Sequence, residues 1–171
     1  MGRVRRRPFY VELIKPSHYD DDGYVIQWLK AWIPSNSLAS MYGLTLEAAE
    51  QRALGEDLDI RVQAYDETNT VIPLERIIKR IRKAGGAGLV CMVGVQSNQF
   101  PRAMDMARAL RAAGVQVAIG GFHVSGCLAM LPELPADLQE ALDLGITLFA
   151  GESEGRFMEL LRAAKAQRME P

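Results

Sequence analysis

Few side chains in this 171-residue sequence can do chemistry, and their spacing does not compose an independent active site. The histidines are His18 and His123, and the cysteines are Cys91 and Cys127. A neutral imidazole can bind a metal or carry a proton. Neither histidine, however, has an Asp, Glu or His partner at a zinc-site spacing. Two cysteines cannot make a disulfide framework, a four-cysteine zinc site or an iron–sulfur cluster. The Gly-x-Gly-x-x-Gly fingerprint of dinucleotide sites is missing, as is the Gly-x-x-x-x-Gly-Lys-Ser/Thr of P-loops. Along the chain no Ser/His/Asp set stands out as a nucleophilic relay.

What remains is a set of short polar and glycine-rich segments. Gly120 and Gly121 project no Cβ, so they let a bulky ligand approach the backbone, or simply make a tight turn. Gln96, Ser97 and Asn98 can hydrogen-bond ligand amides, or cap the helix that begins at Pro101. Gly151-Glu152-Ser153-Glu154 puts carboxylates ahead of a helix, where capping is their ordinary use. Ser17 and His18 open a further polar loop that ends at Gly23, and Phe122 and His123 follow the glycine pair.

The elements that must position these segments alternate between strand and helix. Phe9 to Ile14 reads as a first strand, stopped at Lys15-Pro16. Val25, Trp28, Leu29 and Trp32 recur at helical spacing and predict a short amphipathic helix with a large apolar face. Asn36 to Leu54 reads as a helix closed by Gly55. Asp59 to Asp66 alternates like a strand. Pro73 opens a helix with Leu74, Ile77, Ile78 and Ile81 in one stripe, closed by Gly85-Gly86. Leu89 to Val95 is a continuous apolar run, as in a strand covered on both faces. Pro101 to Ala113 gives the next helix and Val115 to Ile119 the next strand. An irregular region around Pro132 and Pro135 leads to a short helix, Asp137 to Leu144. Ile146 to Ala150 is the last strand, and a final helix carries Phe157, Leu160, Leu161 and Ala164 on one face. This order predicts a flavodoxin-like (Rossmann-like) α/β fold: an open parallel sheet of five strands, in the order 2-1-3-4-5, between two helix layers. All the polar segments fall at the carboxyl ends of strands, where such sheets bind ligands.

Composition sets the outer bounds. With 49% hydrophobic residues and a net charge of −1, the chain suits a packed core rather than a disordered or nucleic-acid-binding protein. No apolar run approaches the roughly 20 residues of a membrane span, and no signal peptide follows the basic start. The reading is a cytoplasmic protein with a basic tail over 1–7 and one domain over 8–171.

The second half has a more specific pattern. Val93-Gly94-Val95-Gln96-Ser97, the helix Ala107-Arg108-Ala109-Leu110-Arg111-Ala112-Ala113-Gly114, then Val117-Ala118-Ile119-Gly120-Gly121-Phe122-His123-Val124, and finally Gly151-Glu152-Ser153-Glu154 follow one another in register. Together they resemble the N-terminal cobalamin (B12)-binding domain of B12-dependent radical SAM proteins. Ile14-Lys15-Pro16 and Tyr65-Asp66-Glu67 agree more loosely, and the likeness spans residues 9–165. The resemblance implies a corrinoid over the strand ends, with its nucleotide tail in a cleft of the sheet. It implies that Gln96, Ser97 and Asn98 flank the tail or ring edge, with Gly120, Gly121, Phe122 and His123 in the next loop and Gly151, Glu152 and Ser153 in the last. Ser17 and His18 would stand in the first loop, with His18 a candidate lower ligand to cobalt. Here the sequence departs from the family's Asp-x-His-x-x-Gly: Pro16 replaces the aspartate, and the glycine arrives late, at Gly23.

The resemblance also implies a catalytic partner. A radical SAM domain, in cis or in trans, would bring a [4Fe-4S] cluster and S-adenosylmethionine, for which this chain has no Cys-x-x-x-Cys-x-x-Cys. The expected role is therefore a binding module, free-standing or part of a longer protein, whose parent enzyme is a methyltransferase or another radical enzyme. Two rivals stay open: a docking domain of the same fold without cofactor, and a small α/β protein that binds a nucleotide or phosphometabolite.

Overall fold

The computed structural model describes residues 6–29 and 34–167. Five parallel strands run β1 (Arg7–Lys15), β2 (Leu58–Asp66), β3 (Gly88–Met92), β4 (Gln116–Gly120) and β5 (Thr147–Phe149), side by side in the order β2-β1-β3-β4-β5. Between and after them come α1 (Asn36–Glu50), α2 (Leu74–Lys83), α3 (Phe100–Ala112), α4 (Phe122–Met130), α5 (Ala136–Asp143) and α6 (Phe157–Lys165). The flavodoxin-like α/β architecture read from the sequence is the one observed.

Two apolar layers hold the sheet, and the strand alternation divides them. Phe9, Val11, Leu13, Leu89, Cys91 and Ala118 point to one face, where Ala48 of α1 and Phe157, Leu161 and Ala164 of α6 cover them. Ile14, Val90, Met92, Val117 and Ile119 point to the other, under Ile77 and Ile81 of α2, α3, and Leu138 and Ala141 of α5. The strand order reverses direction after β2, so right-handed crossovers put α1 on one face and α2 and α3 on the opposite one. Edge strand β2 keeps its charged, half-exposed pattern, which discourages pairing with another sheet.

One charge interrupts the second layer. Glu12, in the middle of β1, is fully buried, and Arg80 of α2 donates to its Oε1 at 2.7 Å. Its Oε2 has no hydrogen-bond partner among the described residues. Burial pushes the Glu12 carboxyl above its usual range, and the Arg80 guanidinium opposes that shift only in part.

Four sequence expectations need correction. Residues 25–29 form no helix. Asp20 Oδ1 accepts from the backbone of Asp22 and Tyr24, Gly23 turns the chain at φ +85°, and Ile26 N–H donates to the His18 carbonyl. Local Asx-turn bonding therefore makes a small antiparallel hairpin with a Tyr19–Val25 bridge, and Trp28 N–H is held by the Thr68 carbonyl. Trp32 lies outside the described residues. The helix from Asn36 stops at Glu50, because Arg52 takes a left-handed conformation (φ +53°) that closes it before Gly55. The stretch after Gly121, expected to be irregular, is helix α4; its weak formers Val124, Ser125 and Gly126 are held in place by burial of Val124 against the second layer. The basic tail is shorter than 1–7. Arg7 opens β1 and pairs with Asp57 at 2.9 Å, and Arg6 donates to the Glu56 carbonyl, while residues 1–5 lie outside the description.

Replacing Arg80 with alanine strands a buried carboxylate, which is expected to cost about 3 kcal/mol at neutral pH. A carboxyl whose folded pKa lies above its unfolded value contributes stability at low pH and loses it as pH rises through the folded pKa. Urea unfolding of Arg80→Ala should therefore show a deficit that is smallest at acid pH, where Glu12 is protonated, and grows as pH rises through its raised folded pKa. A deficit independent of pH would mean that Glu12 is not the charge responsible.

Candidate functional site

A cavity of about 290 Å³ opens at the carboxyl ends of β3, β4 and β5, on the side covered by α1 and α6. Its floor is the exit of β3, Cys91 to Gly94, together with Ala118 and Gly120 of β4 and the Gly121 that follows them. Asn36, Ser37, Ser40, Met41 and Leu44 of α1 form one wall, and Phe157 and Leu160 of α6 the other. Phe149, Gly151, Glu152, Ser153 and Glu154 make the rim beyond β5. Burial pushes the Cys91 thiol up to about 12, so the sulfur on the floor is a neutral thiol.

The floor exists because two strand exits meet backbone to backbone. Val95 N–H donates to the Gly120 carbonyl, and His123 N–H donates to the Val95 carbonyl, both at 3.1 Å. Gly121 sits between them at φ +142°, and a Cβ there would lie 2.1 Å from the Val95 nitrogen. Only glycine fits. At Gly94 (φ +63°) a Cβ would press on Ser37 of α1 at 3.1 Å, so the same economy of side chains keeps the α1 wall close.

The sequence candidates fall into three groups. Gly120, Gly121, Gly151, Glu152 and Ser153 line the cavity. Gln96, Ser97 and Asn98, exposed in the β3–α3 turn, and Phe122 and His123, at the start of α4, stand beside it and are not part of its lining. Ser17 and His18 lie beyond β1, also outside the lining.

Ser17 is fully buried and structurally committed. Its N–H donates to Glu67 Oε2 at 3.0 Å, and its hydroxyl donates to the Ile26 carbonyl at 2.5 Å. Glu67, itself buried, receives two donors from Arg102 of α3, Nη2 at 2.6 Å and Nε at 3.0 Å. Arg102 also reaches the Tyr19 hydroxyl, which is bonded to Asp105. Burial disfavours the Arg102 charge, but the bonds to Glu67 and Tyr19 outweigh it and raise its pKa above the ordinary arginine value. This bidentate pair fixes the hairpin that carries the half-buried His18. Among the described residues no group of three His, Cys, Asp or Glu side chains could hold a metal ion.

His123 makes a set that the sequence did not reveal. Its Nδ1 lies 3.1 Å from Ser97 Oγ and its Nε2 lies 2.9 Å from Asp137 Oδ2. The order Ser–His–Asp is that of an acyl-transfer relay, but the cavity lining includes none of the three. Residues 151–155 also spell Gly-x-Ser-x-Gly, between β5 and α6. A nucleophile elbow strains its serine; Ser153 is not among the residues with positive φ, and its carbonyl accepts from Arg156 and Phe157 as a helix lead-in. Sequence reasoning also missed the α1 wall. Ser37, Ser40, Met41 and Leu44 share a face at helical spacing, a signal indistinguishable from an ordinary packing face.

No family model, curated protein or solved structure matches this chain.

Gly121→Ala should cost about 4 kcal/mol or more, combining positive-φ strain with backbone overlap. Gly126→Ala, whose Cβ would meet only the Phe122 ring at 3.9 Å, should be neutral or stabilising by about 0.5 kcal/mol. Thermal melts of the two variants check this. Equal melting temperatures would mean that the two strand exits do not meet as described.

Proposed function

We propose that the chain is a cobalamin-binding module that holds a corrinoid for a radical SAM catalytic domain. The observation that carries this reading is the glycine-floored cavity at the strand ends, beside the point where strand order reverses. It supports the reading together with the sequence resemblance, which covers the same turns.

At about 290 Å³ the cavity is at the small end for ligand sites, so it suits the slender nucleotide tail and not a macrocycle. Met41, Leu44, Phe149, Phe157 and Leu160 offer the tail apolar walls, and Ser37, Ser40 and Ser153 offer short polar partners. The ring would be met by the exposed turn residues Gln96, Ser97, Asn98 and Phe122. A corrin brings its own equatorial ligands, so the lack of a protein metal cluster among the described residues does not conflict with it. When bound, the cobalt supplies the group-carrying chemistry; this chain's part is to hold, orient and shield the cofactor. In this reading His18, in the loop after β1, is the candidate lower ligand to cobalt.

The carboxylates of Glu152 and Glu154 line the cavity rim, and Arg156 is committed to the Ala150 carbonyl and the Phe149 ring. That balance disfavours a dianionic terminal phosphate, and so weighs against a free nucleotide or phosphometabolite more than against a nucleotide tail whose phosphodiester carries a single charge. A cofactor-free docking domain is the second reading, favoured by the exposed Tyr24, Trp28 and Leu29.

Titration of the purified protein with hydroxocobalamin, followed by desalting, tests the proposal. Shifted corrin bands and colour retained with a base-off spectrum are expected. Ser40→Phe fills the mouth from an exposed helix position, and should weaken binding at least about tenfold with an unchanged circular dichroism spectrum. A changed bound spectrum in His18→Ala would assign that residue to cobalt. No spectral shift with the wild-type protein at high micromolar cobalamin would overturn the reading and leave the docking domain in its place.

A further inference from the structure

Beside the cavity, the polar set with the most complete geometry is Ser97, His123 and Asp137. The imidazole is held on every side: its side chain is 12% exposed, Phe100 lies 4.4 Å away ring to ring, and both nitrogens have partners. Asp137 is fixed as well, because its Oδ1 accepts from the Leu138 N–H at 2.8 Å. Ser97, by contrast, is exposed on the β3–α3 turn. Two rigid groups therefore stand behind one hydroxyl that faces outward.

Donor and acceptor capacity then fixes the protons. An ionised carboxylate only accepts, so the hydrogen on a neutral His123 must sit on Nε2, pointing at Asp137. That leaves Nδ1 as an acceptor. The Cys127 thiol is a weak donor at 3.9 Å, and the Ser97 hydroxyl at 3.1 Å is the better one. With its hydrogen directed to Nδ1, Ser97 turns lone pairs outward.

We infer that Asp137, acting through His123, is a positioning residue that makes Ser97 a hydrogen-bond acceptor for the N–H groups of an amide-bearing ligand. The inference rests on the corrinoid reading, in which those groups are the side-chain amides of the macrocycle. It assigns to His123 a role different from direct ligand contact: the ring sets the polarity of the neighbouring turn.

Absorbance titrations with hydroxocobalamin test it across wild type, Ser97→Ala, Ser97→Thr, Asp137→Asn and the Ser97→Ala/Asp137→Asn double variant. Loss of one oriented hydrogen bond should weaken binding about fivefold in Ser97→Ala and by a similar factor in Asp137→Asn. Ser97→Thr keeps the hydroxyl and should restore affinity. If Asp137 acts only through Ser97, the double variant binds no more weakly than Ser97→Ala. Multiplying losses, about 25-fold in the double variant, or unchanged affinity in either single variant, would overturn the relay while wild-type binding keeps the corrinoid reading intact. Absence of wild-type binding would instead remove the reading and the ligand role together. Nitrogen-15 NMR of the His123 ring gives a ligand-free arm: a hydrogen on Nε2 is expected, and one on Nδ1 overturns the relay.

Discussion

The backbone contact between the exits of β3 and β4 governs this end of the molecule. Val95 bonds to Gly120 and His123 bonds back to Val95, and Gly121 makes room for both by having no side chain. From that contact follow the open floor of the cavity, the start of α4 and the placement of His123 against Ser97. Backbone-to-backbone approach of this kind is rigid, since no side chain intervenes that could change rotamer. The turns at this end of the sheet are thus preformed.

Two ion pairs with buried carboxylates do different work in the fold. Arg80 neutralises Glu12 inside the sheet, where one carboxylate oxygen stays unpartnered and the burial of charge is only partly compensated. Arg102 and Glu67 form a better-satisfied pair: Glu67 takes Arg102 at two nitrogens and the Ser17 N–H as well. The first pair therefore makes β1 and α2 sensitive to pH, whereas the second binds three separate segments into one edge. Ser17 is thereby a structural residue. The same clamp fixes the hairpin that bears His18.

The legible part of the sequence was the part written in periodicity. β3 is apolar throughout because both its faces are covered, and the Ile77–Ile81 stripe of α2 faces the sheet as its spacing implies. Strand–helix alternation then leaves little freedom in topology. Local rules misled where bonding between distant residues decided the outcome. The Val25–Trp28 spacing is helical, yet Asp20 and the carbonyls of His18 and Thr68 take the backbone donors instead. Gly126, Ser125 and Val124 are poor helix formers, yet α4 forms because Val124 has a buried place to go.

By itself the sequence determined the five-stranded α/β architecture and the loops in which polar and glycine residues gather, since hydrophobic period and turn residues act locally. It also excluded a P-loop, a dinucleotide fingerprint and a four-cysteine site, because those chemistries need residues in fixed short order. Tertiary structure decided which loops act together. Only folding brings α1 across to wall the cavity, aligns Asp137 with His123 and Ser97, and commits Ser17 to Glu67. These partners are separated by 14 to 50 positions along the chain, as in His123–Asp137 and Ser17–Glu67. No residue carries a local mark of a partner that far away, so such pairings are set by strand order and by the space that one glycine leaves.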